Sequence, residues 1–92
     1  MKSVVVIERL GSRRYIAVDP DICHGKPCFK GTRITVSTIL ELLESGKSYQ
    51  EILKGYPALT RAHIRAALHL AHQVVDQGRF VPFHSLVHAT AR

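Results

Sequence analysis

The sequence predicts a mainly α domain, a bundle of three short helices with a small β-hairpin at its N-terminal side, expected to be dimeric. Three observations carry this. Apolar positions recur at helical spacing in three segments bounded by capping residues and glycines. Two β-branched runs precede them, separated by a turn. The chain has 92 residues, one small domain in the range where a core is marginal and dimerisation helps.

The hairpin is read from Val4-Val5-Val6-Ile7 and Tyr15-Ile16-Ala17-Val18, which flank Gly11-Ser12 and charged residues. Arg9, Arg13 and Arg14 would stand at or near its tip, and Asp19-Pro20-Asp21 would turn the chain away from it, proline fixing φ and the aspartates bonding back to the backbone. Residues 19–34 then hold two Pro, two Gly, two Asp, three cations and both cysteines without helical or strand period. Ordering such a loop costs on the order of 1–2 kcal/mol per residue, so it must either brace the fold or meet a partner.

The first helix is expected over residues 36–45, with Thr35 as N-cap and Gly46 at C′. Val36, Ile39, Leu40 and Leu43 form its apolar stripe, widened by Leu42. Ser48-Tyr49-Gln50-Glu51 is a capping box that opens a short second helix ending at Gly55, with Ile52 and Leu53 buried; Tyr56-Pro57 prevents continuation. The third helix follows Thr60 and runs to Gln77, ended by Gly78. Ile64, Ala67, Leu68, Ala71, Val74 and Val75 are expected to share its inner face. At 100° per residue, Arg61, Arg65, His69 and His72 fall within about 80° of one another on a different face. Residues 1–78 are thus one hairpin-plus-trihelical domain, and residues 79–92 an apolar tail.

Three short helices with cations on the last is the layout of a helix-turn-helix, in which the third helix offers its first residues to base edges. Arginine suits that role, its planar fork pairing with guanine or phosphate. The link from Gly55 to Thr60 is longer than the usual turn, and bundles with a basic outer stripe that bind no DNA are common.

The chain carries 13 Lys and Arg against 7 Asp and Glu, a net charge of +6, and a pI near 9.8. Both ends are basic and residues 36–60 nearly neutral. Such clustering suits a polyanion or acidic partner; the bland alternative is a solubilising surface. The N-terminal run is too short for a signal h-region and no segment reaches the roughly 20 apolar residues of a membrane span, so a cytoplasmic chain without membrane partner is expected.

No catalytic constellation stands out. Cys23, His24 and Cys28 offer two thiolates and an adjacent imidazole, whereas structural zinc takes four ligands at tetrahedral spacing. His63, His69, His72, His84 and His88 stand at no recognised spacing to them, so buried thiols are the simpler reading and no metal or cofactor is expected. No carboxylate sits in an apolar setting that would raise its pKa, and no phosphate-loop pattern surrounds Gly25-Lys26-Pro27. Enzyme activity is not expected.

Lys30-Gly31-Thr32-Arg33 precedes the first helix, where free N–H groups favour anions. Lys30 and Arg33 either contact phosphate, or Arg33 braces the loop through an ion pair with Asp19 or Asp21. In the tail, Phe80, Val81, Phe83, Leu86 and Val87 are too apolar for a free terminus; they either pack back on the bundle or occupy a groove on a partner.

Asp19, Pro20, Ile22, Cys23, Gly25, Lys26, Pro27, Gly31, Thr32, Arg33 and Ile34 meet the pattern D-P-x-I-C-x-G-K-P-x-x-x-G-T-R-I. With Gly46, Tyr56-Pro57-x-Leu59-Thr60 and Ala66-Ala67-Leu68, the chain closely resembles the domain of unknown function 433 family of small prokaryotic proteins, over residues 14–75. The resemblance implies a winged or homeodomain-like helix-turn-helix. It also implies a type II antitoxin similar to the VapB type, which neutralises a PIN-like ribonuclease toxin through a terminal segment and represses its own operator as a homodimer. Cys28-Phe29 departs from the family's usual aliphatic pair, His24 replaces a small residue, and the third helix opens with cations where many relatives carry acids.

The expectation is therefore an antitoxin that binds double-stranded DNA through Arg61, His63 and Arg65, with Arg13, Arg14, Lys30 and Arg33 assisting, and binds its toxin through the tail from Phe80. The alternatives are a stand-alone DNA-binding regulator without a toxin, its tail of residues 79–92 completing the dimer, and a structural interaction module whose cations serve solubility.

Overall fold

The structure, a computed structural model, describes residues 14–78 and 80–82. Its order is β1 (Ile16–Ala17), β2 (Cys28–Phe29), α1 (Val36–Glu44), α2 (Tyr49–Gly55) and α3 (Arg61–Gln77). It is thus a mainly α, three-helix unit with one antiparallel strand pair at its N-terminal side.

The expected arm at residues 4–7 lies outside the described residues. Within them, the partner of the Tyr15–Val18 run comes from the loop that shows no strand period: Ile16 pairs with Phe29 and Ala17 with Cys28. The ladder extends through the Lys30 N–H, which donates to the Tyr15 carbonyl at 2.9 Å. A two-residue strand is too short for alternation to register, which is why periodicity misses it. What holds it is Phe29, fully buried beside Ile16 against Val36, Ile39 and Ile64.

Each helix boundary has a bonded cap. Thr35 Oγ1 accepts from the Thr38 N–H at 3.1 Å, satisfying one of the free donors of α1's first turn. At the far end Lys47 N–H reaches the Leu42 carbonyl at 3.1 Å and Gly46 N–H the Leu43 carbonyl at 3.0 Å. This double closure is a Schellman turn and needs Gly46 at φ +95°. The helix itself ends at Glu44, with Ser45 as its cap. Ser48 and Glu51 form the reciprocal box at α2: Glu51 N–H to Ser48 Oγ at 3.1 Å and Ser48 N–H to Glu51 Oε1 at 2.8 Å.

The core comprises Ile16, Phe29, Val36, Ile39, Ile52, Leu59, Ile64, Ala66, Ala67 and Leu70, where both strands and all three helices meet. For α3 this corrects the expected inner face. Leu68 is 40% exposed and Val75 67% exposed, while Ala66 and Leu70 are buried in their place. His63 lies half-buried on this inner side, and a polar residue there displaces the apparent apolar stripe toward solvent.

Candidate functional site

The outward face of α3 carries Arg61, Arg65, Leu68, His69, His72 and Val75, all exposed. From Arg61 through Val75 the helix contains no carboxylate. The Arg61 guanidinium carbon lies 5.5 Å from the centre of the Tyr49 ring, a cation–π distance. This ties the first residue of α3 to the first residue of α2 across the Gly55–Thr60 link. The His69 and His72 rings stack with centroids 6.4 Å apart and planes at 23°. Tyr49 is not singled out by sequence: it opens α2 at the end away from the α2–α3 link, and no local pattern announces its contact with a residue twelve positions on.

His63 stands apart from this face. Its Nδ1 accepts from the Thr60 N–H at 3.0 Å and lies 2.9 Å from Thr60 Oγ1. The acceptor role places the proton of the neutral ring on Nε2. The ring meets Tyr15 edge-on at 5.1 Å and Phe29 at 5.6 Å. The half-buried imidazole is therefore a cap and a wedge between α3 and the strand pair, turned away from the cationic face.

Arg14 is exposed, its guanidinium 5.5 Å from the Tyr15 ring centre. Lys30 is exposed at the end of β2, while Arg13 lies outside the described residues. Arg33 is exposed, and its part in the loop is played by its main chain, which accepts from Cys23 Sγ at 3.2 Å. Asp19 Oδ1 instead accepts from the Asp21 N–H at 2.8 Å. The bonds that brace the loop here run through backbone and thiols. Thr32 Oγ1 adds to them, donating to the Phe29 carbonyl at 2.8 Å and accepting from the Ile34 N–H at 3.0 Å.

In the tail, Phe80 and Val81 are described, 70% and 57% exposed; Phe83, Leu86 and Val87 lie outside the described residues. Among the described residues no three His, Cys, Asp or Glu side chains gather as a metal site, and no helix is long and apolar enough to cross a membrane.

A strand pair tied to a three-helix bundle by a loop rich in fixed turns, with a cationic outer face on the last helix, defines the class. The family model described as "Protein of unknown function (DUF433)" matches residues 16–71, and the chain belongs to that family. It is also similar to the crystal structure of a DUF433 member protein from Anabaena variabilis ATCC 29413. That likeness has a TM-score of 0.64 at 31% sequence identity and covers 77% of this chain and 68% of that one. No curated protein matches the chain.

Proposed function

We propose that this chain binds double-stranded DNA as a homodimer through the start of α3, and that it serves as the antitoxin of a type II pair whose toxin is a PIN-like ribonuclease. The observation that carries the DNA reading is the placement of Arg61 and Arg65, both exposed on the outward face of α3. Four residues at 1.5 Å rise separate them by about 6 Å along the axis, comparable with two base-pair steps of about 3.4 Å. Two arginines so spaced meet successive phosphates or base edges, and the free N–H groups of the first turn add positive potential. Arg14, on the strand side, is a candidate flanking phosphate contact.

The antitoxin half is supported by family membership together with Phe80 and Val81, which leave the bundle with their side chains largely in water. Exposed apolar residues directly after a helix suit a segment that docks in a partner's groove.

The test pairs two measurements. Fluorescence anisotropy on DNA from the chain's own upstream region should give binding that weakens steeply with salt, and that is lost in the Arg61→Ala, Arg65→Ala double variant. Unchanged affinity in that variant sinks the DNA reading. Co-expression with the adjacent gene should yield a complex; no complex at any salt sinks the antitoxin reading. DNA binding without a neighbouring nuclease gene would favour the stand-alone regulator.

A further inference from the structure

We propose that Cys23 and Cys28 form a reactive dithiol site, open to a small-molecule disulfide, that closes to a disulfide within the loop. The two sulfurs are gathered on adjacent carbonyls: Cys23 Sγ donates to the Arg33 oxygen at 3.2 Å and Cys28 Sγ to the Thr32 oxygen at 3.7 Å. Both thiols are free. They differ in access, since Cys23 is half-buried while Cys28 is only 3% exposed.

The backbone is what aims Cys23 at this spot. Cys23 at φ 53° and His24 at φ 56° are left-handed without being glycine, and Gly25 follows at φ 76°. Residues with a Cβ avoid that region, and their clustering at one point marks a conformation imposed by the surroundings. The imposed turn brings the Cys23 side chain back across the loop to the Arg33 carbonyl. Burial, and after it the neighbouring Cys23, push the Cys28 thiol above its ordinary range, with Asp19's charge adding and Arg33's opposing. That dependence on Cys23 is what two neighbouring sulfurs produce. It also orders the chemistry, because the accessible thiol reacts first and the buried protonated one second.

The reaction balances with a low-molecular-weight disulfide as oxidant. Cys23, as thiolate, attacks one sulfur of the disulfide. A Cys23 mixed disulfide forms, the reagent's S–S bond breaks, and one thiolate leaves, taking up the proton Cys23 gave up. Cys28, deprotonated in turn, attacks Cys23 Sγ. The Cys23–Cys28 bond forms, the mixed S–S bond breaks, and the second thiol departs with the second proton. Two protein thiols are oxidised and one disulfide is reduced to two thiols.

The probe is oxidised glutathione on the full chain at neutral pH, followed by alkylation of remaining thiols and mass spectrometry. The tryptic peptide of residues 15–30 holds both cysteines, because Lys26 precedes Pro27 and is not cleaved. The expected product is that peptide lighter by two hydrogens, unalkylated, carrying no glutathione, and restored by dithiothreitol. Cys28→Ser should trap one glutathione on Cys23, and Cys23→Ser should leave Cys28 unmodified while the chain stays folded by circular dichroism. If either variant fails to fold, the wild-type peptide decides alone. Two alkylated cysteines, glutathione retained on the wild-type chain, or a disulfide linking two chains would each overturn the proposal.

Discussion

The backbone N–H of Thr60 donates to Nδ1 of His63 at 3.0 Å, so the imidazole closes the start of α3 from its inner side. The same ring sets its edge against Tyr15 and Phe29. One side chain thereby joins the first turn of the third helix to the strand pair.

His63→Ala removes both roles. Loss of a capping interaction costs about 1 kcal/mol, and removing the ring's edge contacts adds about 0.5–1.5 kcal/mol for each aromatic pair lost. Urea denaturation should show a lower midpoint by the corresponding amount. His63→Gln, which keeps an acceptor at the N3 position, should recover the cap share and leave the packing deficit; equal loss in both variants would contradict the cap.

The inward turn of α3 separates apolar residues that sequence alone treats alike. Ile64 is fully buried and Phe29 likewise, so Phe29→Ala should cost about 3–5 kcal/mol. That is a large share of the roughly 5–15 kcal/mol typical of a folded domain. Leu68→Ser and Val75→Ser, on exposed positions, should each stay within about 0.5 kcal/mol of the parent. Thermal unfolding of the set checks the ranking. A large loss at Val75 would mean that another surface covers it.

The Ser48–Glu51 box predicts an acid dependence. The Ser48 backbone N–H bonds the Glu51 carboxylate, the Ser48 hydroxyl contributes after it, and Lys47's charge assists; together they hold its pKa below the ordinary carboxylate value against a small opposing effect of desolvation. A depressed folded-state pKa means the stabilisation is present above the unfolded pKa and lost as pH falls through the folded one. The stability difference between parent and Glu51→Ala should therefore hold constant near neutrality and shrink below about pH 4.3, the unperturbed glutamate value. Denaturation midpoints across pH 3–7 measure it, and a difference that grows on acidification would contradict the sign. Ser48→Ala should cost about 1 kcal/mol as a lost N-cap.

On the proposed DNA interface, each arginine that neutralises a phosphate contributes about one unit to the slope of log affinity against log salt. Arg61→Ala and Arg65→Ala should each flatten that slope by about one and weaken binding similarly on all sequences if the contacts are to phosphate. A sequence-selective loss would point to base edges. Tyr49→Ala should weaken binding less than Arg61→Ala, because it removes only the ring that positions the guanidinium.

Much of the helical layout was legible in residue identities. Thr35, Ser48, Gly46 and Gly78 bound the helices because capping is local chemistry, decided by residues a few positions apart. The family pattern in residues 19–34 was legible for a similar reason: its turns depend on particular glycines and prolines. The strand at Cys28–Phe29 was not legible. Two residues carry no period, and their pairing with Ile16 and Ala17 is a contact across more than ten positions. In the sequence His63 groups with the cations because its polarity suggests solvent, whereas its ring can bury as an aromatic once its Nδ1 has a donor.

The sequence by itself determined three helices, their ends, the family and the basic balance, since those follow from spacing, capping chemistry and charge count. The tertiary structure decided how α3 is rotated, which apolar residues it hides, and that Arg61 meets Tyr49. It also brought Cys23 and Cys28 to neighbouring carbonyls. Those outcomes depend on which distant surfaces fit together around Phe29 and His63, and packing between segments far apart in the chain leaves no periodic trace in the order of residues.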